Sequence, residues 1–403
     1  MQTDPTPVGD SRPRTLGLVV GLFVLSTSAA AYEIAPASVV PLVRAGLGVG
    51  PTGASALVSA MYAASVALSV PLGVALDRLD LRRAVVAAGL ALLVAGAWSW
   101  VAAVDGAYWS LLGARLLAGA CYVTVWNAGT NVIGAAVPES RRATAVGLFT
   151  ASAPVGFALG QFGGPRVAAA VGWAAVLPAF AALAAVGVVV FAAATRGRSV
   201  GADTDAPDRA ALRSLFGDRA VWTLSTLCFL AFALYLFLNS WLPSFFNAEL
   251  SVSLAAGGLL TALFPATGVV ARTGVGSLSE IVFGGRRRPV VVLAFGLATA
   301  ATGGLAVVGS VPIAVGLLVV GGLGVQFAIG LLFAYVVEVV PAEVRTTAVS
   351  VLTAVGLFGA TVAPVAGGGV AAVAGYRPAF LLAAAVAVVG AVLALTAPEP
   401  ATS

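Results

Sequence analysis

The 403-residue chain has no lysine and no histidine; all 21 of its basic residues are arginine. Without histidine, no side chain has an ordinary pKa near neutrality. That removes the usual general base, metal ligand and proton relay. Only two cysteines occur, Cys121 and Cys228, each alone in an apolar run. They make no CxxC pair and define no disulfide framework. Charge is scarce too: 9% of residues carry one, against about 25% in soluble domains. Hydrophobic residues reach 60%, and the mean hydropathy is +1.04. Water is therefore not expected to be the main solvent. The pI near 9.7 would fit nucleic acid, but the arginines are scattered among loops, which suits membrane topology better. No nucleic-acid partner, no metal and no cofactor are expected.

What is present is a series of long apolar runs. A spanning helix needs roughly 20 predominantly apolar residues. That window gives twelve spans, at about 15–40, 52–73, 84–104, 108–135, 143–165, 173–194, 220–243, 252–275, 289–309, 311–337, 347–368 and 378–397. Ser28-Ala29-Ala30-Ala31 looks like a signal-peptidase site, but the apolar stretch runs on through Val40, too long for a signal-peptide core. It is read as a span, not a leader. Residues 195–219 hold five Arg and four Asp and divide the spans into two sets of six. The chain is therefore expected to be an all-α polytopic membrane protein of twelve transmembrane helices in two six-helix pseudo-symmetric bundles. Its N-terminal half is 1–194, its linker 195–219 (with a short surface helix over Ala210 to Phe216), and its C-terminal half 220–403.

Arginine counting sets the expected orientation. With a cytoplasmic N-terminus, sixteen arginines fall on the cytoplasmic side and three (Arg44, Arg166, Arg377) on the other, while Arg115 and Arg272 lie inside spans. Both termini are expected in the cytoplasm of a cell-membrane protein.

The halves repeat. At an offset of 203, Gly73 and Asp77 correspond to Gly276 and Glu280. Likewise Pro138, Arg142, Thr144, Ala145, Val146 and Thr150 match Pro341, Arg345, Thr347, Ala348, Val349 and Thr353. Gly156 and Gly164 match Gly359 and Gly367. Two halves in the same orientation are a parallel repeat, which places a transport site between them near the midplane.

Gly73-x-x-x-Asp77-Arg78-x-x-x-Arg82-Arg83 resembles the loop signature of the major facilitator superfamily between its second and third helices, and the resemblance covers nearly the whole chain. Arg115-x-x-x-Gly119 looks like that family's fourth-helix motif. Tyr335-x-x-Glu338-x-x-Pro341-x-x-x-Arg345 is similar to the tenth-helix end of its sugar and metabolite porters. The fifth-helix GxxxGPxxGG motif of its proton-driven drug antiporters is not met: Gln161 follows Gly160 where proline would stand. The resemblance implies a latch of Gly73, Asp77, Arg78, Arg82, Arg83, Gly276, Glu280, Arg286, Glu338 and Arg345. Asp77 would face the helix opening at Thr346-Thr347, where free amides and the dipole favour an anion. Glu280 would face the opening near Thr144.

Inside the spans, Glu33 is a candidate proton or substrate-cation site, because burial disfavours a carboxylate's charged form. Arg115 lies at comparable depth, so a Glu33–Arg115 pair is open to it. Tyr122 and Trp126 follow Arg115 on one helical face. Arg272 either snorkels to the inner interface or contacts an anion. Its Arg-x-x-Gly-x-Gly pattern is similar to the eighth helix of nitrate/nitrite porters, but Ser69 stands at the first-half equivalent, so a two-arginine clamp is not expected. Tyr235, Asn239 and Gln326 are candidate contacts in the seventh and tenth spans. Pro154, Pro265 and Pro364 are expected to kink their helices.

These residues point to secondary active transport of a small solute by alternating access, the use to which such a repeat is put. The carrier is expected to be coupled to an ion, with protons favoured and a lean to an organic or inorganic anion, and to act as a monomer among membrane lipid. The alternatives are a drug or metabolite exporter of the same fold and a solute sensor without net transport. An enzyme is not expected.

Overall fold

The computed structural model describes residues 12–76, 79–137, 139–197, 215–341 and 344–399. Among these there is no strand. The helices are α1 (Arg12–Ser38), α2 (Val40–Leu47), α3 (Pro51–Leu76), α4 (Leu81–Val104), α5 (Tyr108–Ala136), α6 (Glu139–Val171), α7 (Val176–Ala181) and α8 (Leu183–Ala194). The second half has α9 (Arg219–Leu250), α10 (Leu254–Phe283), α11 (Arg288–Val307), α12 (Val311–Val339), α13 (Arg345–Ala374) and α14 (Tyr376–Ala394). Most of the expected surface helix lies outside the described residues.

Helices are the form this sequence requires, because hydrocarbon offers the backbone no partner and a helix satisfies its own amides. Eleven stretches among the described residues are long and apolar enough to cross a membrane. The remaining crossing is α6. It has 33 residues, about 50 Å at 1.5 Å per residue, but Thr150, Ser152 and Gln161 make it less apolar. It can be so because its neighbours shield it: α1 packs on it within its own half and α10 from the other half. Ser152 and Gln161 are fully buried.

The outer surface is apolar. Val94, Val189, Val270 and Val373 are exposed by 60%, 67%, 70% and 91%, an arrangement suited to lipid and not to water. Trp100 and Trp109 are exposed near one end of the bundle and Trp222 near the other, as in the aromatic belts of membrane interfaces.

An even number of crossings puts α1's start, the α8–α9 connection and α14's end on one face, called here the terminal face; the other is the distal face. The halves meet through α3 with α13, α6 with α10, and α1 with α9. The contacts lie toward the distal face. A Cβ on Gly258 of α10 would strike the Gln161 carbonyl and stand 2.9 Å from Pro165. One on Gly368 of α13 would stand 2.9 Å from the Ser55 hydroxyl and 3.1 Å from Thr52. At the terminal end the picture changes. Among the described residues, a Cβ on Gly274 or Gly276 would meet nothing within 4 Å, and Glu280 is exposed.

Candidate functional site

Polar side chains from both halves converge midway along the bundle. Glu33 of α1 is 0% exposed; among the described residues its carboxyl makes no ion pair, and its approach to the Tyr62 hydroxyl falls short of a well-formed hydrogen bond. Its polar neighbours are the Tyr62 hydroxyl of α3 and the Arg115 guanidinium of α5. Tyr122 of α5 and Tyr235 of α9 also lie within electrostatic reach of Glu33.

On the opposite wall Arg272 does not snorkel to the surface. Its Nε donates to Gln326 Oε1 at 2.8 Å, and its guanidinium carbon lies 5.9 Å from the Tyr235 ring centre. Gln326 is fully buried and wedged against Gly268, where a Cβ would overlap its amide nitrogen. Arg272 itself is only half-buried. It interacts electrostatically with Tyr122 and Tyr62 of the other half. The half-buried Tyr122 and Trp126 have rings 6.2 Å apart, edge to face; in the second half, Phe232 and Phe333 lie at 6.5 Å.

Above this cluster, toward the distal face, Tyr235 stacks on Phe157 across the halves at 5.3 Å. Gln161 Nε2 donates to the Asn239 carbonyl at 2.5 Å, joining α6 to α9. Asn239 donates its own amide to the Tyr235 carbonyl and is fully buried, so it belongs to this seam and not to an accessible site. Gln161, read from the sequence only as a departure from an antiporter motif, is a contact between the halves.

Arg115 departs from the expected ion pair. It is fully buried, and its guanidinium bonds main chain: Nε to Leu57 O at 2.7 Å, one Nη to Tyr32 O at 2.7 Å, the other to Glu33 O at 2.5 Å. Pro36 explains the attraction. In a helix the Tyr32 carbonyl would accept from the amide of residue 36, and proline has none. Arg115 supplies the missing donor, and its charge sits 4.6 Å over the Tyr32 ring. Gly119, one turn on, lets α5 press against Met61 of α3, which brings Leu57 into reach. The arginine–glycine spacing thus pins α5 to α1 and α3.

At the terminal face, Asp77 and Arg78 lie outside the described residues, as do the surroundings of Gly73 and the side chains of Thr144, Arg345 and Thr346. Among the described ones, the side-chain hydrogen bonds and ion pairs stay within each half. Asp80 caps α4 by accepting the Arg82 amide at 2.9 Å. Arg82 Nε donates to Thr195 at 3.1 Å, and Arg83 approaches Asp80 at 3.6 Å. In the second half, Arg287 grips Glu338 with two bonds of 2.9 and 2.8 Å. The carboxylate beside it raises the Arg287 pKa above its ordinary value. The sequence points to Arg286 instead, but that side chain is 63% exposed and only approaches Glu399 at 3.8 Å. Glu399 also accepts the Arg287 backbone amide at 3.0 Å, and Tyr335 donates to the Pro398 carbonyl. The segment after α14 therefore clasps the α10–α11 loop, a contact that the spacing of Tyr335 and Glu338 does not reveal. No group of His, Cys, Asp and Glu among the described residues could hold a metal.

The family model of the Major Facilitator Superfamily matches residues 18–287 and 245–403. No curated protein matches the chain. Among solved structures it is similar to a bacterial homolog of the human lysosomal transporter Spinster. In that protein's inward-facing, unoccupied conformation the TM-score is 0.78 at 16% identity, covering 98% of each chain. In its inward-facing, occupied conformation the score is 0.79 at 17% identity, covering 96% of this chain and 97% of that one. A point mutant of the nucleoside transporter NupG gives 0.74 at 13% identity, covering 94% of this chain and 99% of that one. These likenesses concern the fold. With the family match across both halves, this multi-pass membrane transporter belongs to the major facilitator superfamily.

Proposed function

We propose that the protein moves a small anion across the cell membrane by alternating access, coupled to protons through Glu33. The moving bodies are residues 1–194 and 220–403, joined by a cytoplasmic linker at 195–219, with both termini cytoplasmic and the monomer as the working unit. The observation that carries this reading is the uneven contact between the halves. Glycine seams and the Gln161–Asn239 bond join the halves on the distal side, while among the described residues a Cβ on Gly274 or Gly276 at the terminal end would meet nothing within 4 Å. A polar cluster between the two is then open to the cytoplasm and shut to the outside.

Glu33 suits proton carriage because its carboxyl is buried and, among the described residues, in no ion pair, with only the Tyr62 hydroxyl in hydrogen-bonding reach, an environment that resists a lone charge. Arg272, half-buried on the other wall, suits the solute. Arg115, bonded to three carbonyls, is a fixed structural cation. The test is uptake into proteoliposomes: Glu33→Gln is expected to abolish accumulation driven by a pH gradient and to retain solute exchange. Accumulation at the wild-type rate would defeat proton coupling through Glu33. Export of an aromatic cation is a second reading, favoured by the buried carboxyl among Tyr62, Tyr122 and Tyr235 and opposed by Arg272 in the same cluster.

A further inference from the structure

We infer that the solute is a monoanionic organic acid with an apolar or aromatic body, carried one-for-one with a proton. This rests on the transport reading above and names the cargo of that same site.

The two charged groups differ in what can reach them. Glu33 is 0% exposed, so a proton can arrive there but a solute group cannot. The groups facing it are Tyr62 of α3, Arg115 and Tyr122 of α5, and Tyr235 of α9; among the described residues α6, α7 and α8 set no titratable side chain against it. Arg115 is committed to main-chain oxygens and keeps its charge throughout. Arg272 is half-buried, with Nε committed to Gln326 and its Nη edge left for an oxyanion. A carboxylate can take that edge in a fork.

Coupling follows from the dielectric. A proton binding Glu33 adds one positive charge to the buried cluster, and a monoanion binding Arg272 adds one negative charge. Either alone changes the charge held in a low-dielectric interior, which is costly. Together they leave it as it was in the empty carrier with Glu33 ionised. The proton forms one O–H bond on Glu33 on entry and returns to water on release. A dianion would unbalance the cluster by one charge. The body of the acid finds rings on both walls, Tyr122 and Trp126 on one and Phe232 on the other, which an inorganic anion would leave uncovered.

The test is binding by purified protein in detergent, read by thermal shift and by a pH-indicating dye. The probes are 4-hydroxyphenylacetate, hexanoate, nitrate, succinate and tetraphenylphosphonium. At a pH alkaline enough to leave Glu33 ionised in the empty carrier, the expected result is stabilisation by the two organic monoanions, with about one proton taken up per anion bound, and a response at least about tenfold weaker in affinity for nitrate and succinate. Glu33→Gln should bind without proton uptake. Arg272→Gln should lose binding, and Arg272→Lys, which keeps the charge, should restore part of it and so exclude misfolding. Stabilisation by tetraphenylphosphonium alone, by nitrate as strongly as by the organic acids, or by none of the probes would overturn the inference. Proton-driven uptake abolished by Glu33→Gln could survive any of these results, so the two readings fail separately.

Discussion

Ser55 and Gly368 touch across the two halves, the serine hydroxyl 2.9 Å from the point where a Cβ on residue 368 would sit. Pro165 and Gly258 touch in the same way, at 2.9 Å. The second contact is the first carried through the repeat: adding the offset of 203 to Ser55 gives Gly258, and adding it to Pro165 gives Gly368. Two seams related by the pseudo-dyad thus join the halves on the distal side, each with its glycine on a different helix. A seam of small residues lets backbones approach closely where apolar burial gives no preference for helix over lipid.

A larger side chain at either glycine should wedge its seam open. Gly258→Leu and Gly368→Leu are each expected to favour the distally open state and to slow transport. The measurement is labelling of a single cysteine at position 59, in a background lacking Cys121 and Cys228, by a membrane-impermeant reagent added from the distal side. Faster labelling is expected in both variants; unchanged labelling would mean that these seams do not gate the site.

The Gln161–Asn239 bond should act in the same direction with less force. Gln161→Leu keeps the volume and removes the donor. A net hydrogen bond contributes about 1 kcal/mol, so the open-to-closed ratio should rise roughly fivefold. Distance measurements between spin labels on α6 and α9 would report the change, and a distribution identical to the wild type would contradict a latching role.

Arg115 and Pro36 should prove thermodynamically coupled. Arg115→Gln leaves the Tyr32 carbonyl without a donor, at about 1–3 kcal/mol for a buried group left unsatisfied, and removes a second bond from the Glu33 and Leu57 carbonyls. Pro36→Ala returns an amide to Tyr32. In that background Arg115→Gln should be milder by about 1 kcal/mol or more. Thermal unfolding of the four proteins of the cycle measures it. Simple additivity would show that the freed carbonyl is not what Arg115 serves.

The clasp at the terminal face should protect the α10–α11 loop. Removing residues 398–403 takes away the acceptors of the Arg287 amide and the Tyr335 hydroxyl. Hydrogen exchange at Arg287 is then expected to quicken, by roughly tenfold if about 1.4 kcal/mol of local stability is lost. Glu338→Gln should add a smaller loss that shrinks in high salt, since the pair is partly exposed. An exchange rate insensitive to the truncation would rule the clasp out.

Much of this was legible in the chain itself. Apolar length located the crossings, and the repeat secured the least apolar of them, because α6 aligns with α13 even though Ser152 and Gln161 dilute its character. The arginine inside α10 and the acid inside α1 were equally visible as costly residues that need a reason. What spacing could not show was their partners. Arg115 looked like the mate of Glu33 by depth, yet a proline in α1 offered it a carbonyl instead. Arg286 and Arg287 are adjacent in an arginine run, and only the turn after α10 decides which one meets Glu338.

By itself, then, the sequence determined the solvent, the number of crossings and the doubling, since in lipid every backbone amide must be satisfied within its own helix and that demand is written in local composition. The tertiary structure decided which charge is locked into main chain, which stays half-buried beside the polar cluster, and at which end glycine seams join the halves. Those outcomes depend on how helices far apart in sequence approach one another, and close approach is set by shape at a few glycines and a proline rather than by hydropathy.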